Sequence, residues 1–143
     1  MKEISQSNAQ SVLDGLFLFN QSQEHSGYCI WEFNNYFIYP LLHGKVRLFY
    51  EDNKPIGLVT WCFLSEERSQ QFADEEIVLE EDDYLANEGD QLWGVEFIAP
   101  YGHARTIMRR MKELHREVYP NEYNQRPVRW KRITTGKQCR GRF

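Results

Sequence analysis

Glu96 stands between Val95 and Phe97 in the apolar run Gln91 to Ala99. A run that barely alternates predicts a central strand. A carboxylate inside such a strand is costly unless it is paired or protonated. Two readings follow: an ion pair with an arginine from the basic half of the chain, or a carboxylate that orients a histidine or takes a proton itself. The strand is stopped by Pro100-Tyr101-Gly102, and His103-Ala104 open a helix. A helix start offers unpaired N–H donors and partial positive charge, which suit a phosphate or a developing oxyanion.

The histidines supply the other half of any acid–base chemistry. His25 lies in a polar loop beside Glu24, Ser26 and Gly27, and by position alone it reads as an exposed loop residue. His103, at the helix start, is placed where a neutral imidazole can touch a bound group. His43, beside Gly44, and His115, on the polar side of the last helix, read as solvated. Their spacing matches no HExxH-like ligand set, so no metal site is expected. Cys29, Cys62 and Cys139 are odd in number and widely spaced. That pattern reads as reduced thiols, with Cys29 a buried structural cysteine rather than a nucleophile. No GxSxG, Walker, GxGxxG or CxxC motif is present.

These groups need a scaffold. Helical spacing of Ala9, Val12, Leu13, Leu16 and Phe17 predicts a helix over residues 5–19, capped by Ser5 or Ser7. Asn20 to Gly27 should be a loop, and the aromatic-rich segment 28–42 fits a strand or a short helix equally well. Lys45 to Tyr50 alternates, Asp52-Asn53-Lys54-Pro55 is turn chemistry, and Ile56 to Phe63 completes a β-hairpin. Glu66 to Ala73 reads as a short helix and the acidic stretch Asp74 to Asp90 as a solvated connection. His103 to Tyr119 is the strongest helix, with Ile107, Met111, Leu114 and Val118 along one face and Pro120 at its end. Val128 to Ile133 alternates as a last strand. The order of elements predicts a mixed α/β (α+β) fold.

The chain has 143 residues, which fits one domain spanning 1–143, and 41% of them are hydrophobic. The packing of the basic segment 120–143 is open. No run reaches the length of a membrane span, and the N-terminus has no secretory h-region. With reduced cysteines, this predicts a cytoplasmic protein. The net charge of −4 is split unevenly. Residues 1–103 carry 5 basic and 18 acidic side chains; residues 104–143 carry 12 and 3. A basic half of this kind suits an acidic protein partner, and no nucleic-acid motif accompanies it.

Four ordered segments resemble the RTX toxin-activating lysine acyltransferases, the hemolysin-activating proteins of bacteria. They are Phe17-Leu18-Phe19 with Asn20-Gln21-Ser22 leading to His25; Asp52-Asn53-Lys54-Pro55-Ile56; Trp61-Cys62-Phe63-Leu64-Ser65; and Trp93-Gly94-Val95-Glu96-Phe97-Ile98-Ala99-Pro100-Tyr101-Gly102. The resemblance covers roughly residues 10–112 and implies a GNAT-like acyltransferase fold, often dimeric. It implies transfer of a fatty acyl group from acyl-carrier protein to internal lysines of an RTX-type protoxin, with no tightly bound cofactor. His25 falls on the family's catalytic histidine. Glu96 falls on its catalytic aspartate, with one extra methylene. Asn35 is the nearest match to a third family residue, an asparagine. The turn Pro100, Tyr101, Gly102, His103 and Ala104 would receive the donor's pantetheine arm and oxyanion. An acyl-CoA N-acetyltransferase and a non-catalytic toxin-binding chaperone of the same fold are the alternatives.

Overall fold

The computed structural model describes residues 1–4, 7–85, 89–122, 125–131 and 138–143. The described strands form one mixed sheet in sequence order: β1 (Lys2–Ile4), β2 (Val46–Glu51), β3 (Lys54–Leu64), β4 (Gln91–Ile98), β5 (Pro127–Lys131) and β6 (Gln138–Arg142). The pairs are antiparallel except β4 with β5, which run parallel. Helices cover both faces, so the fold is the mixed α/β architecture expected, consistent with a GNAT-like arrangement.

One face carries α1 (Ala9–Gln21), a continuous helical run made of α2 (Ile30–Phe33), a π-turn (Asn34–Ile38) and α3 (Tyr39–Leu42), then α4 (Glu66–Ala73) and α5 (Glu81–Leu85). Leu18, Phe19, Phe37 and Leu41 pack there on Val46, Leu48, Leu58 and Ile98. Leu79, Tyr84 and Ala73 pack on Cys62, Leu64 and Trp93. The opposite face is covered by α6 (Ala104–Val118), whose Ile107 and Met111 meet Phe49, Ile56 and Val59.

Two irregularities place the site. Strand β4 pairs Glu96 with Thr60 but Gly94 with Trp61, so Val95 is one residue too many on its side of the ladder. Such a bulge reverses the in–out alternation beyond it. Trp93 and Val95 therefore pack toward α4 and α5, and Ile98 joins the α1 side as well. Glu96 comes to that same face. The second irregularity is that β4 meets β5 only at Leu92–Val128 and Trp93–Arg129. Beyond Trp93 the two strands part, and the sheet opens.

Several expectations are corrected. Helix α1 begins later than residue 5, and Asn8 rather than Ser7 is its cap, accepting the Ser11 N–H at 2.8 Å; Ser5 lies outside the described residues. Its inward face is Ser11, Asp14, Gly15, Leu18 and Phe19, whereas Leu13, Leu16 and Phe17 are exposed. Specific contacts override the apolar stripe: Asp14 receives the Tyr50 hydroxyl, and a Cβ on Gly15 would lie 2.1 Å from the Phe37 ring. The ambiguous segment 28–42 is helical, with a π-turn at Asn34–Ile38 where Tyr39 N–H reaches back to Asn34. Pro40 next along has no N–H to continue the α-register. The acidic connection is not simply solvated. Leu79 and Tyr84 are fully buried, and Asp83 accepts two hydrogen bonds from Arg68 at 2.9 Å each. Cys29 is exposed, capping the short helix Ile30–Phe33, while Cys62 is buried. Strand β5 spans Pro127–Lys131, and the expected continuation through Arg132 and Ile133 lies outside the described residues.

Candidate active site

The turn after α1 carries three polar side chains at a spacing of three: Ser22, His25 and Tyr28. Backbone bonds from His25 and Ser26 to the Ser22 carbonyl, and from Tyr28 to the His25 carbonyl, tighten it. The turn folds against the aromatic end of α1. The His25 ring meets Phe19 edge-on at 5.4 Å and Tyr28 at 5.2 Å. The polar composition that predicts an exposed loop is misleading here, because His25 is only 5% exposed.

Glu96, 4% exposed, reaches the same point from the sheet. His25 Nε2 lies 2.6 Å from Glu96 Oε2, and Tyr28 donates its hydroxyl to Glu96 Oε1 at 2.8 Å. The Glu96 backbone N–H is held by Thr60 Oγ1 at 2.9 Å. Glu96 is thus paired with a histidine and a tyrosine, not with an arginine of the basic half. Burial, reinforced by the Glu96 carboxylate, pushes the Tyr28 hydroxyl far above its ordinary value, so it remains a donor. On the other side of the ring, Ser22 Oγ lies 2.6 Å from His25 Nδ1 and 3.3 Å from Glu24 Oε2.

With Glu96 as a carboxylate, Oε2 accepts the Nε2–H and Nδ1 holds the lone pair. The one Ser22 hydrogen then goes to Nδ1 at 2.6 Å in place of Glu24 at 3.3 Å. The result is a hydrogen-bonded line Ser22–His25–Glu96, the arrangement in which an imidazole accepts a proton from a hydroxyl or amine and a carboxylate stabilises the imidazolium.

A cleft of about 1140 Å³ runs along the α6 face of the opened sheet and reaches this line. Trp61, Phe63, Met108 and Met111 are among its apolar walls, and Ser22, His25 and Glu96 stand at one part of it. The cleft joins these apolar walls to polar and charged side chains, the character of a small-molecule or lipid site.

The remaining predicted residues are placed differently. Asn35 lies in the π-turn, and among the described hydrogen bonds it makes none to His25 or Glu96. In the turn before α6, Pro100 and Ala104 line the cleft. Tyr101 and His103 instead contact the β2–β3 hairpin, through Lys54 over the Tyr101 ring at 4.1 Å and Glu51 at 2.9 Å from His103 Nε2. Gly102 holds φ +85°, a conformation glycine adopts without strain. His43 is paired with Glu81 at 3.0 Å, and His115 stacks between Tyr119 and Phe143, so neither is the freely solvated residue expected. Among the described residues, no three His, Cys, Asp or Glu side chains converge as a metal site. Burial raises the Cys62 thiol well above its usual range and keeps it inert. Ser22 and Tyr28 are missed by sequence reasoning, although their three-residue spacing about His25 carries the signal.

Comparison with known proteins follows the same line. The sequence model described as HlyC, the RTX toxin acyltransferase family, matches residues 5–142. The chain is 29% identical over 118 residues to the protein sll0720 of Synechocystis sp., covering 80% of this chain and 77% of that one. It is 28% identical over 113 residues to the lysine-acyltransferase RtxC of Vibrio cholerae serotype O1, covering 77% and 70%. It is 31% identical over 71 residues to the leukotoxin-activating lysine-acyltransferase LtxC of Aggregatibacter actinomycetemcomitans, covering 50% of this chain and 41% of that relative.

Proposed function

Because this chain belongs to the RTX toxin acyltransferase family, we propose that it transfers a fatty acyl group from a carrier-bound thioester to the ε-amino group of lysines on an RTX-type protoxin. The observation that carries this reading is the buried Ser22–His25–Glu96 line at an apolar cleft. Two of the similar proteins are named as lysine-acyltransferases, which supports lysine as the acceptor.

In this reading the fatty chain lies in the cleft and its thioester carbonyl comes to His25. A lysine ε-amine has a reference pKa near ~10.4 and arrives almost entirely as ammonium. His25 removes a proton so that the amine is nucleophilic. The amine attacks the carbonyl carbon, the C–N bond forms and the C–S bond breaks; of the two protons the nitrogen loses, one passes through His25 to the departing thiolate and the other leaves to solvent. Glu96 holds the ring and balances the imidazolium. Backbone N–H groups of residues 101–104 are the proposed donors to the oxyanion. Only Nδ1 is available as base, so Ser22 must turn aside or relay the proton.

The Ser22 Oγ–His25 Nδ1 distance of 2.6 Å also favours a second route, in which Ser22 attacks first and an acyl-serine then passes its chain to lysine. The donor is read as acyl-carrier protein because such proteins are acidic and the chain's last 40 residues are strongly basic. Within that half, Arg126 stacks on Phe63 and Tyr119, and Arg129 on Trp93. The exposed arginines Arg105 and Arg109 of α6 are therefore the better docking groups. The protein is read as cytoplasmic and as a homodimer. No helix among the described residues is long and apolar enough to cross a membrane.

The test is co-expression with a candidate RTX protoxin, followed by mass spectrometry of its lysines. A fatty-acyl increment with wild type and none with His25→Ala is expected. An increment in both would remove His25 from the chemistry. An acyl group trapped on Ser22 would select the second route.

A further inference from the structure

Strand β4 carries a glycine where neither its backbone nor its packing requires one. Gly94 is not at positive φ, a conformation held among the described glycines by Gly44 and Gly102. The surplus residue of the bulge is its neighbour Val95. On β3, packing does require Gly57: a Cβ there would lie 2.4 Å from Ile107 Cδ1 and 2.8 Å from the Ile98 carbonyl oxygen. At Gly94, among the described residues, a Cβ would meet only Trp130 Cβ at 3.7 Å and the Arg129 carbonyl oxygen at 3.9 Å, both ordinary contacts. Glycine inside a strand costs stability, and it marks places where a ligand or another backbone comes close. The one backbone atom in range stands at ordinary contact, so the reason left is a ligand.

The space has a defined shape. Leu92, Trp61 and Trp130 pack with Phe63 and Val128 on the α6 side of the sheet. Alternation puts the open position of Gly94 on the same face as Leu92. Trp61 is the ladder partner of Gly94 on β3. On β5, Val128 and Arg129 pair with Leu92 and Trp93, so Trp130 is the next residue, where the strands part. Gly94 is thus the floor of a slot with an indole on either side, and all three residues line the cleft. Glu96 lies two residues further, at most about 7 Å along the strand.

We propose that Gly94 is a specificity-determining residue: the slot over it, between Trp61 and Trp130, takes the far part of the fatty acyl chain, and its open floor sets the chain length accepted. The identity of the chain rests on the acyl-transfer reading; the slot rests on the geometry of the cleft. Indole walls and a floor without a side chain suit an alkyl chain, which needs apolar area and no hydrogen-bond partner. Each methylene buried in the slot adds affinity. A short chain ends before the slot and gains nothing from it.

The experiment compares wild type, Gly94→Leu and Gly94→Ala. Octanoate and palmitate are the probes, titrated by tryptophan fluorescence and calorimetry. Wild type should bind palmitate about tenfold or more tightly than octanoate. Gly94→Leu fills the slot and should lose most of that preference, with palmitate weakened far more than octanoate. Its melting temperature should hold or rise, because a strand interior gains a side chain. Equal affinity for the two probes in wild type, no binding of either, or a preference kept by folded Gly94→Leu would overturn the proposal. An equal loss of both probes would overturn it too, by placing the carboxyl end of the chain in the slot. If Gly94→Leu does not fold, Gly94→Ala decides: its methyl fits at contact distance and should weaken palmitate more than octanoate, and an equal effect on both overturns the proposal. Mass spectrometry of the protoxin separates this from the function proposed above. Shorter chains on lysine with Gly94→Leu than with wild type support both. A lost palmitate preference with no acylation by wild type leaves the slot and removes that function. Acylation with the same chain lengths in both proteins does the reverse.

Discussion

Of the three histidine–glutamate pairs among the described residues, two make an instructive contrast of like chemistry and nearly the same length. His25 and Glu96 lie 2.6 Å apart, and His103 and Glu51 lie 2.9 Å apart. Their surroundings differ. The first pair is 5% and 4% exposed, within an aromatic cage, and each partner has a further hydrogen bond. The second pair is 28% and 57% exposed, at the join between the hairpin and α6. Coulomb attraction at the second is screened by water, and such pairs contribute roughly 0 to 1 kcal/mol. At the first, removing one partner leaves the other buried and unpaired. Burial, not pairing, is what separates the pair proposed to be reactive from the surface contact.

That contrast can be broken at several points, each read as protoxin acylation rate with thermal melting as the control. The largest effect is expected from His25→Ala, a loss of about 10² to 10⁴-fold. Glu96→Gln keeps the shape but removes the charge that supports an imidazolium, and should cost about 10²-fold or more. Glu96→Asp should retain more activity than Glu96→Gln, because it keeps the charge and shifts it by one methylene; equal losses would show that reach matters more than charge. Tyr28→Phe removes one donor to a buried carboxylate and should cost about tenfold. Glu51→Gln at the exposed pair should change activity less than about twofold and stability by under about 1 kcal/mol. A Glu51 effect as large as that of Glu96 would erase the distinction between the two pairs.

The sequence made some of this legible. The hairpin at Asp52–Pro55, strand β4 and helix α6 follow from turn chemistry and periodicity, because each signal is local. Positive φ at Asp52 and Asn53 agrees with the turn residues found there. His25 and Glu96 are visible only as an odd polar residue and an odd carboxylate; 71 positions separate them, and no local pattern encodes their contact. Helix α1 misleads because its most apolar stripe faces outward, while Asp14 and Gly15 face in for reasons held by Tyr50 and Phe37. The segment 74–85 misleads because its acidic composition hides the anchors Leu79 and Tyr84.

The single surplus residue in β4 has a consequence for how this strand tolerates change. The position of the acid depends on a count of residues as well as on which residue is acidic. Replacing Val95 by another small apolar residue leaves the count intact and should pass unnoticed. Deleting it would leave Gly94 and Glu96 opposite Trp61 and Thr60 in an unbroken ladder, with the carboxylate still on the α1 side but without the bend that the surplus residue gives the strand. Comparison of this strand with related chains therefore has to treat a one-residue gap before the acid as the loss of a bend in the strand, with the acid's side of the sheet unchanged.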